Sequence, residues 1–342
     1  MSSPEPVCAR FRLRRYQLVL LLAALVLPLA LTSLAGGEQA LAYLEAFPFT
    51  LLALMLVTAA LCWNINALRL RLMLGKRVRL SQTSALGIEL AAKFALCATP
   101  GGSGGPVALL ALLNRRGVPP AKGAALFLID QGCDSLFFLV MLAVAVGVSL
   151  AGDPGWPYQG VIQAALVGLG LALTVAALAI ACLPRLLRLP GLTRRAPARR
   201  RWLARRLLRC RHALGVTLRL PRPMLGAILA LTALHWLLRY SLLYLAVLGV
   251  GGQIDWFWSF LVQMLALAAS QLSILPGGAG AAELGVGTLL LPLMTQERVV
   301  AAVLIWRLVS YHLYLLAGAP VLLWLVFTQW RNRHAFDPVG VE

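Results

Sequence analysis

The sequence predicts an all-α polytopic integral membrane protein with six full spans and two Pro-Gly-Gly-broken re-entrant hairpins in an inverted-repeat arrangement. Three observations carry that reading: the apolar bulk of the chain, the placement of its charge, and two matched glycine-rich breaks. Its 342 residues would suffice for about two soluble domains. However, 60% are hydrophobic, only 13% are charged, and mean hydropathy is +0.82. A soluble chain averages about 25% charged residues, so no soluble fold could hide this much apolar surface. The net charge of +19 would suit nucleic acid if it coated a surface. Instead the 28 Arg and 3 Lys crowd into segments between apolar runs. Membrane topology is written that way, and nucleic-acid binding is rejected. The six cysteines (Cys8, Cys62, Cys97, Cys133, Cys182, Cys210) form no CxxC pair and lack histidine-rich company. Neither a disulfide framework nor a metal site is expected, and no cofactor.

A span needs about 20 apolar residues. Residues 17–35, 47–68, 122–150, 160–183, 224–250 and 299–327 meet that length. The first could also be a cleaved signal peptide, since it has a basic flank, an apolar core and small residues. Retained, it gives a charge pattern that is consistent from end to end. The N-terminal segment 1–16 carries Arg10, Arg12, Arg14 and Arg15, and the loop after the second span carries Arg69, Arg71, Lys76, Arg77 and Arg79. Residues 184–223 hold 13 Arg and no acid, and the tail 328–342 begins with Arg331 and Arg333. Opposite loops hold Glu38 and Glu45, then Asp153, Asp255 and Glu297. By the positive-inside rule both termini face the cytoplasm of a bacterial inner membrane. Residues 17–183 and 224–327 then form two membrane halves joined by the basic loop. Between Arg199 and Arg219 that loop can form a helix lying on anionic headgroups. Topology anchor and headgroup recognition both remain open for it.

Two segments are not simple spans. Residues 81–114 and 256–293 each contain a Pro-Gly-Gly break, at Pro100-Gly101-Gly102 and Pro276-Gly277-Gly278. Further glycines follow at Gly104, Gly105 and Gly280. The two breaks are 176 residues apart (276 − 100) and read "TPGGSGGPVALL" and "LPGGAGAAELGV". Pro and paired Gly end helices, and irregular backbone at membrane depth survives only inside protein or beside a water-filled cavity. Flanking charges open the first hairpin to the cytoplasm and the second to the outside. A similar element in opposite orientation is the mark of an inverted repeat, with a site near the midplane where the broken helices meet.

Ionisable residues at membrane depth are costly and become site candidates by default. Here they are Glu89, Lys93, Asp130, Asp134, Arg239, Glu283 and Arg307, with His235 and His312. Glu89 and Lys93, four residues apart, can neutralise each other. Asp130 and Asp134 share one helix face and cannot both be buried ionised without a cation or a raised pKa; Arg239 or Arg307 could supply the cation. Scaffold and site both remain open for that pair. Arg307, Ser310, Tyr311 and Tyr314 fall on one helical stripe, and His235 and Arg239 on a smaller one. Gln263, Ser270, Gln271 and Ser273 approach the second break, and Glu283 follows it. Helices that start after the glycine turns aim free N–H groups and positive dipole ends at the midplane. Arg307 adds a charge able to fork onto phosphate, with Glu283 its partner in the empty state. A phospholipid or polyprenyl-phosphate headgroup fits such a site.

These residues bring a family into view. The stretches "ATPGGSGGP" at 98–106, "LPGGAGAAE" at 275–283 and "VLIWRLVSYHLYLLAG" at 303–318 resemble the lysylphosphatidylglycerol synthase transmembrane-region family. That family is a flippase-like membrane domain found alone or fused to a soluble aminoacyl-transferase, and the resemblance spans roughly residues 15–330. Pro106 stands where the family often has an acid, and Ala282 where it often has Arg. Glu283 and Arg307 match its pattern. The resemblance implies movement of a lipid headgroup between leaflets, without the synthase activity, for which the basic loop and tail offer no fold. No HExxH, GxSxG, Walker or DxD signal is present. A membrane-embedded transferase acting on a lipid phosphate stays as an alternative, with Asp130, Asp134 and Glu283 as its acids and bases. A non-catalytic partner of a lipid-modifying enzyme is the third reading.

Overall fold

The computed structural model describes residues 37–186 and 221–334, apart from 76–77, 79, 153–154, 271–272 and 274, together with Val26 and Ala30. Apart from Val26 and Ala30, the expected first span therefore lies outside the described residues, as do most of the basic loop and the end of the tail. Every regular element among the described residues is a helix. We number them α1 (Phe49–Leu74), α2 (Gln82–Cys97), α3 (Gly104–Arg115), α4 (Pro120–Ala151), α5 (Gln159–Leu186), α6 (Arg222–Gly249), α7 (Trp256–Ser270), α8 (Ala281–Leu290), α9 (Gln296–Arg307) and α10 (Leu313–His334). A π-helical segment, Leu308–His312, joins the last two without a break.

Four stretches are long and apolar enough to cross a membrane: α1, α4, α6 and the continuous run Gln296–Leu325. Local chemistry sets their ends. Pro119 and Pro120 open α4, where a missing N–H costs nothing. Ser81 accepts from the Ser84 N–H at 3.1 Å and caps α2. Gly75, at φ 67°, ends α1 with its N–H on the Arg71 and Leu72 carbonyls. One boundary differs from expectation. The second span was expected to end at 68, but α1 runs on to Leu74, carrying Arg69 and Arg71 inside the helix. A hydropathy run stops at the first arginine, whereas the backbone ladder does not.

The helices form two sets of matching order. Long, broken-first, broken-second and long describes α1–α4, and again α6, α7, α8 and α9–α10. Each member of the second set begins between 173 and 177 residues after its counterpart (222 − 49 for the first pair, 281 − 104 for the third). The two leading helices, α1 and α6, pack against each other, as do α2 with α3 and α7 with α8. α10 lies along α2, and Gly318 makes that possible, since a Cβ there would stand 2.6 Å from the Leu90 carbonyl oxygen. The main core gathers Trp258, Phe260 and Trp306, all buried, where α6, α7 and α9 meet. A second cluster ties α1–α4 together. A small third one joins Cys97, Tyr311, Tyr314 and Leu315 beside the breaks.

Candidate functional site

The two breaks have the same backbone construction. In the first, the Gly102 N–H donates to the Thr99 carbonyl at 3.1 Å and the Ser103 N–H to that of Pro100 at 3.4 Å. In the second, Gly278 donates to Leu275 at 3.1 Å and Ala279 to Pro276 at 3.3 Å. Gly101 and Gly102 stand at φ 58° and 66°, and Gly277 and Gly278 at 63° and 65°, a region that glycine enters without steric cost. Pro100 and Pro276 face each other in an isolated antiparallel bridge. The turns therefore meet, residue to equivalent residue, and α3 and α8 begin from that meeting point. Thr99 fixes the first exit by accepting from the Gly104 N–H at 2.8 Å while donating to the Ala95 carbonyl at 2.7 Å. Gly104 and Gly105 leave room for the end of α2. Gly280, at φ 80°, opens α8 and sets Glu283 in its first turn, where a carboxylate suits the helix dipole.

Arg307 closes the second break. Its Nε donates to Glu283 Oε1 at 2.6 Å, and both side chains are buried. Its Nη2 reaches the Gly277 and Gly278 carbonyls at 3.4 and 3.5 Å. Among the described residues Glu283 Oε2 is buried with no hydrogen-bond partner, so the carboxylate has an acceptor to spare. The guanidinium lies over Trp306 and Tyr311, at 5.1 and 5.3 Å from the ring centres. Tyr311 also spans the two sets by donating to the Cys97 carbonyl at 3.3 Å.

The expected stripe on the last helix is buried as a unit: Arg307, Ser310, Tyr311 and Tyr314 are all inside. Arg239 comes to it from α6. One of its terminal nitrogens donates to the Tyr314 hydroxyl, and the other to the Ser310 carbonyl at 3.2 Å. Its guanidinium also covers the Tyr314 ring, 4.8 Å from the centre. No carboxylate lies within ion-pair distance of Arg239 among the described residues.

The acidic pair is neutralised elsewhere than expected. Neither Arg239 nor Arg307 is its cation. Nη2 of Arg69, 2% exposed, lies 2.7 Å from Asp130 Oδ1 and 2.8 Å from Asp134 Oδ1. The extra length of α1 brings Arg69 opposite that face of α4, which corrects its placement in a cytoplasmic loop. Arg69 Nη1 continues to Asn66 Oδ1 at 3.2 Å, and Asn66 Nδ2 to His235 Nε2 at 3.5 Å. His235 is thus an end-piece of this network, four residues before Arg239 on the same face of α6. The expected Glu89–Lys93 ion pair does not form within 4.0 Å; Glu89 instead borders a small cavity with Asp130.

Residues expected to approach the second break divide. Gln263 is core: it donates to the Tyr240 carbonyl and accepts from Trp306 Nε1 at 2.9 Å. Ser270 donates to the Leu267 carbonyl at 2.8 Å and packs against Gly278. Ser273 Oγ accepts from the Leu275 N–H at 3.2 Å, and Gln271 lies outside the described residues. His312 Nδ1 lies 3.2 Å from the Arg307 carbonyl oxygen. Sequence reasoning missed Asn66 and the role of Arg69. Their alignment with Cys62 on one face of α1, at i, i+4 and i+7, was the available signal.

Apolar helices, two facing glycine breaks and a buried arginine define a helical membrane protein with a polar centre. The chain belongs to the lysylphosphatidylglycerol synthase TM region family, whose model matches residues 17–318. It is also similar to a UPF0104 membrane protein of Archaeoglobus fulgidus, with 24% identity over 279 residues, covering 75% of this chain and 81% of the relative.

Proposed function

We propose that the protein translocates a phospholipid or polyprenyl-phosphate-linked lipid between the leaflets of a bacterial inner membrane. The headgroup binds where the two glycine breaks meet. The observation that carries this reading is the buried Arg307–Glu283 pair hung on the carbonyls of the second break. A phosphate can displace Glu283 from Arg307, exchanging one anion for another, so the cation is never stranded at membrane depth. The antiparallel meeting of Pro100 with Pro276 supports an inverted repeat of two re-entrant hairpins, in a six-span molecule with both termini cytoplasmic. Family membership supports the same direction. Asp130 and Asp134 are held by Arg69, and Glu283 by Arg307, so the acids an embedded transferase would use are already engaged. This favours translocation over transfer chemistry. The test is a leaflet-transfer assay in vesicles with fluorescent phosphatidylglycerol. Transfer with unchanged lipid mass, lost in Arg307→Lys, is expected. A change in lipid mass would point to a transferase.

A further inference from the structure

Arg69 and Arg239 have matching situations in the two helical sets. Each lies on the leading long helix of its set and reaches the last long helix of that set. Arg69 there meets two residues four apart, Asp130 and Asp134. Arg239 also meets two residues four apart, Ser310 and Tyr314. The first arginine receives two carboxylates; the second receives a carbonyl and a phenol. The contacts are alike in kind, although Arg239 follows Arg69 by 170 residues (239 − 69) and is not its positional equivalent; at Arg239 the counter-charge is left out.

We propose that Arg239, together with Lys93, is the resting site for the phosphate group of an anionic ligand, which supplies the charge that Asp130 and Asp134 supply to Arg69. A guanidinium has five N–H donors in a planar fork, and the protein engages two of its nitrogens here. Arg239 is half-buried, so the remaining donors are reachable. Lys93 forms neither an ion pair nor a hydrogen bond among the described residues, and Glu89, one turn away, stays outside ion-pair distance. Leu90 and Phe94, which flank Lys93, touch Gly318, one turn beyond Tyr314. Ser310 Oγ, on the same turn, is buried without a partner among the described residues. A guanidinium with no carboxylate in reach, a lysine on the helix packed beside the Tyr314 segment and a spare hydroxyl suit a phosphate better than a carboxylate, which has fewer acceptor oxygens. The site borders Arg307 through Tyr311, so it would hold a headgroup before the exchange with Glu283. The binding claim stands on its own; the lipid as physiological ligand rests on the function proposed above.

The test is calorimetric binding to the purified full-length protein. The probes are dioctanoyl phosphatidic acid, dioctanoylglycerol and inorganic phosphate. Phosphatidic acid should bind and dioctanoylglycerol should not. Inorganic phosphate that competes weakly marks a lipid headgroup site, and inorganic phosphate that binds as tightly as the lipid marks a site for the free ion. Arg239→Gln should weaken binding by about tenfold or more, the loss of a charge-assisted contact. Tyr314→Glu, which installs the missing counter-charge, should abolish binding, whereas Tyr314→Gln, which removes the same ring without adding charge, should bind at least about tenfold more tightly than Tyr314→Glu. If Arg239→Gln does not fold, the Tyr314 pair decides. Equal affinity in Tyr314→Glu and Tyr314→Gln overturns the proposal, as does wild-type affinity in a folded Arg239→Gln. Binding that behaves as expected beside absent leaflet transfer would leave this site standing and remove translocation. Transfer without any dependence of binding on Arg239 would do the reverse.

Discussion

The Nε of Arg307 stands 2.6 Å from Oε1 of Glu283, with 5% of either side chain exposed. Removing one member of a buried pair costs about 3–5 kcal/mol, because the other charge is left uncompensated. Arg307→Lys keeps the charge and loses the fork. The protein should still insert and fold, while leaflet transfer falls by about tenfold or more. Normal transfer in that variant would make Arg307 scaffold. Glu283→Gln should make the melting temperature depend more on added anionic lipid than in the wild type.

The glycines of the breaks differ in what surrounds them. A Cβ at Gly101 meets nothing within 4 Å, whereas one at Gly277 would stand 2.1 Å from Cε2 of Tyr311. Gly101→Ala should therefore cost only the left-handed backbone strain, about 1–2 kcal/mol. Gly277→Ala must also push the Tyr311 ring off its place beside Arg307, and its melting temperature should fall at least twice as far. Equal losses would show that the ring can yield. The bulkier Gly278→Val and Gly102→Val should both abolish transfer. The first is the more damaging, since Ser270 Oγ is 2.6 Å from its Cβ position, against 3.3 Å to Leu96 for the second.

Asp130 and Asp134 share one nitrogen of Arg69. Either carboxylate alone can neutralise the guanidinium, so Asp130→Asn and Asp134→Asn singly should cost about 1 kcal/mol each. The double variant strands a buried charge and should cost about 3–5 kcal/mol, well beyond the sum. Additive melting shifts would mean that Arg69 has another counter-charge.

Membrane sidedness can be read from two positions. Asn114, near the end of α3, is exposed, and Glu297, at the start of α9, is partly so. Native Cys62, Cys97 and Cys133 are buried and should stay silent to an impermeant maleimide. In a background with the remaining cysteines replaced by Ser, Asn114→Cys should label only after the cytoplasmic face is opened. Glu297→Cys should label in intact cells. Labelling of both from one side would remove the inverted arrangement.

The breaks and the Arg307–Glu283 pair were legible in the sequence because their signals are local. Pro-Gly-Gly interrupts a helix, and a mid-span arginine demands polar partners at the same depth. Arg69 was illegible for the opposite reason. Its meaning depends on which way a guanidinium turns at a helix end, and on a face of α4 some sixty residues away in the chain. Charge counting read it as a topology signal, and the acidic pair was consequently assigned the wrong cation. Gln263 was expected to approach the second break, because a polar side chain in an apolar run attracts attention. Its partners, the Tyr240 carbonyl and Trp306 indole, are non-local and satisfy it within the core. The π segment at Leu308–His312 carries no residue pattern that a period of 3.6 would flag.

That segment has a geometric consequence. A π turn holds one residue more than an α turn, and such turns often lie at functional positions. Here the stretch before it is registered against α6 and α8, and the stretch after it against α2. Arg307 marks the first registration and Gly318, seated on Leu90, marks the second. A uniform helix is one rigid ruler and could be zeroed against only one of these neighbours. The additional residue works like a vernier offset, letting both scales read true at once, and the offset falls within the five residues that follow Arg307.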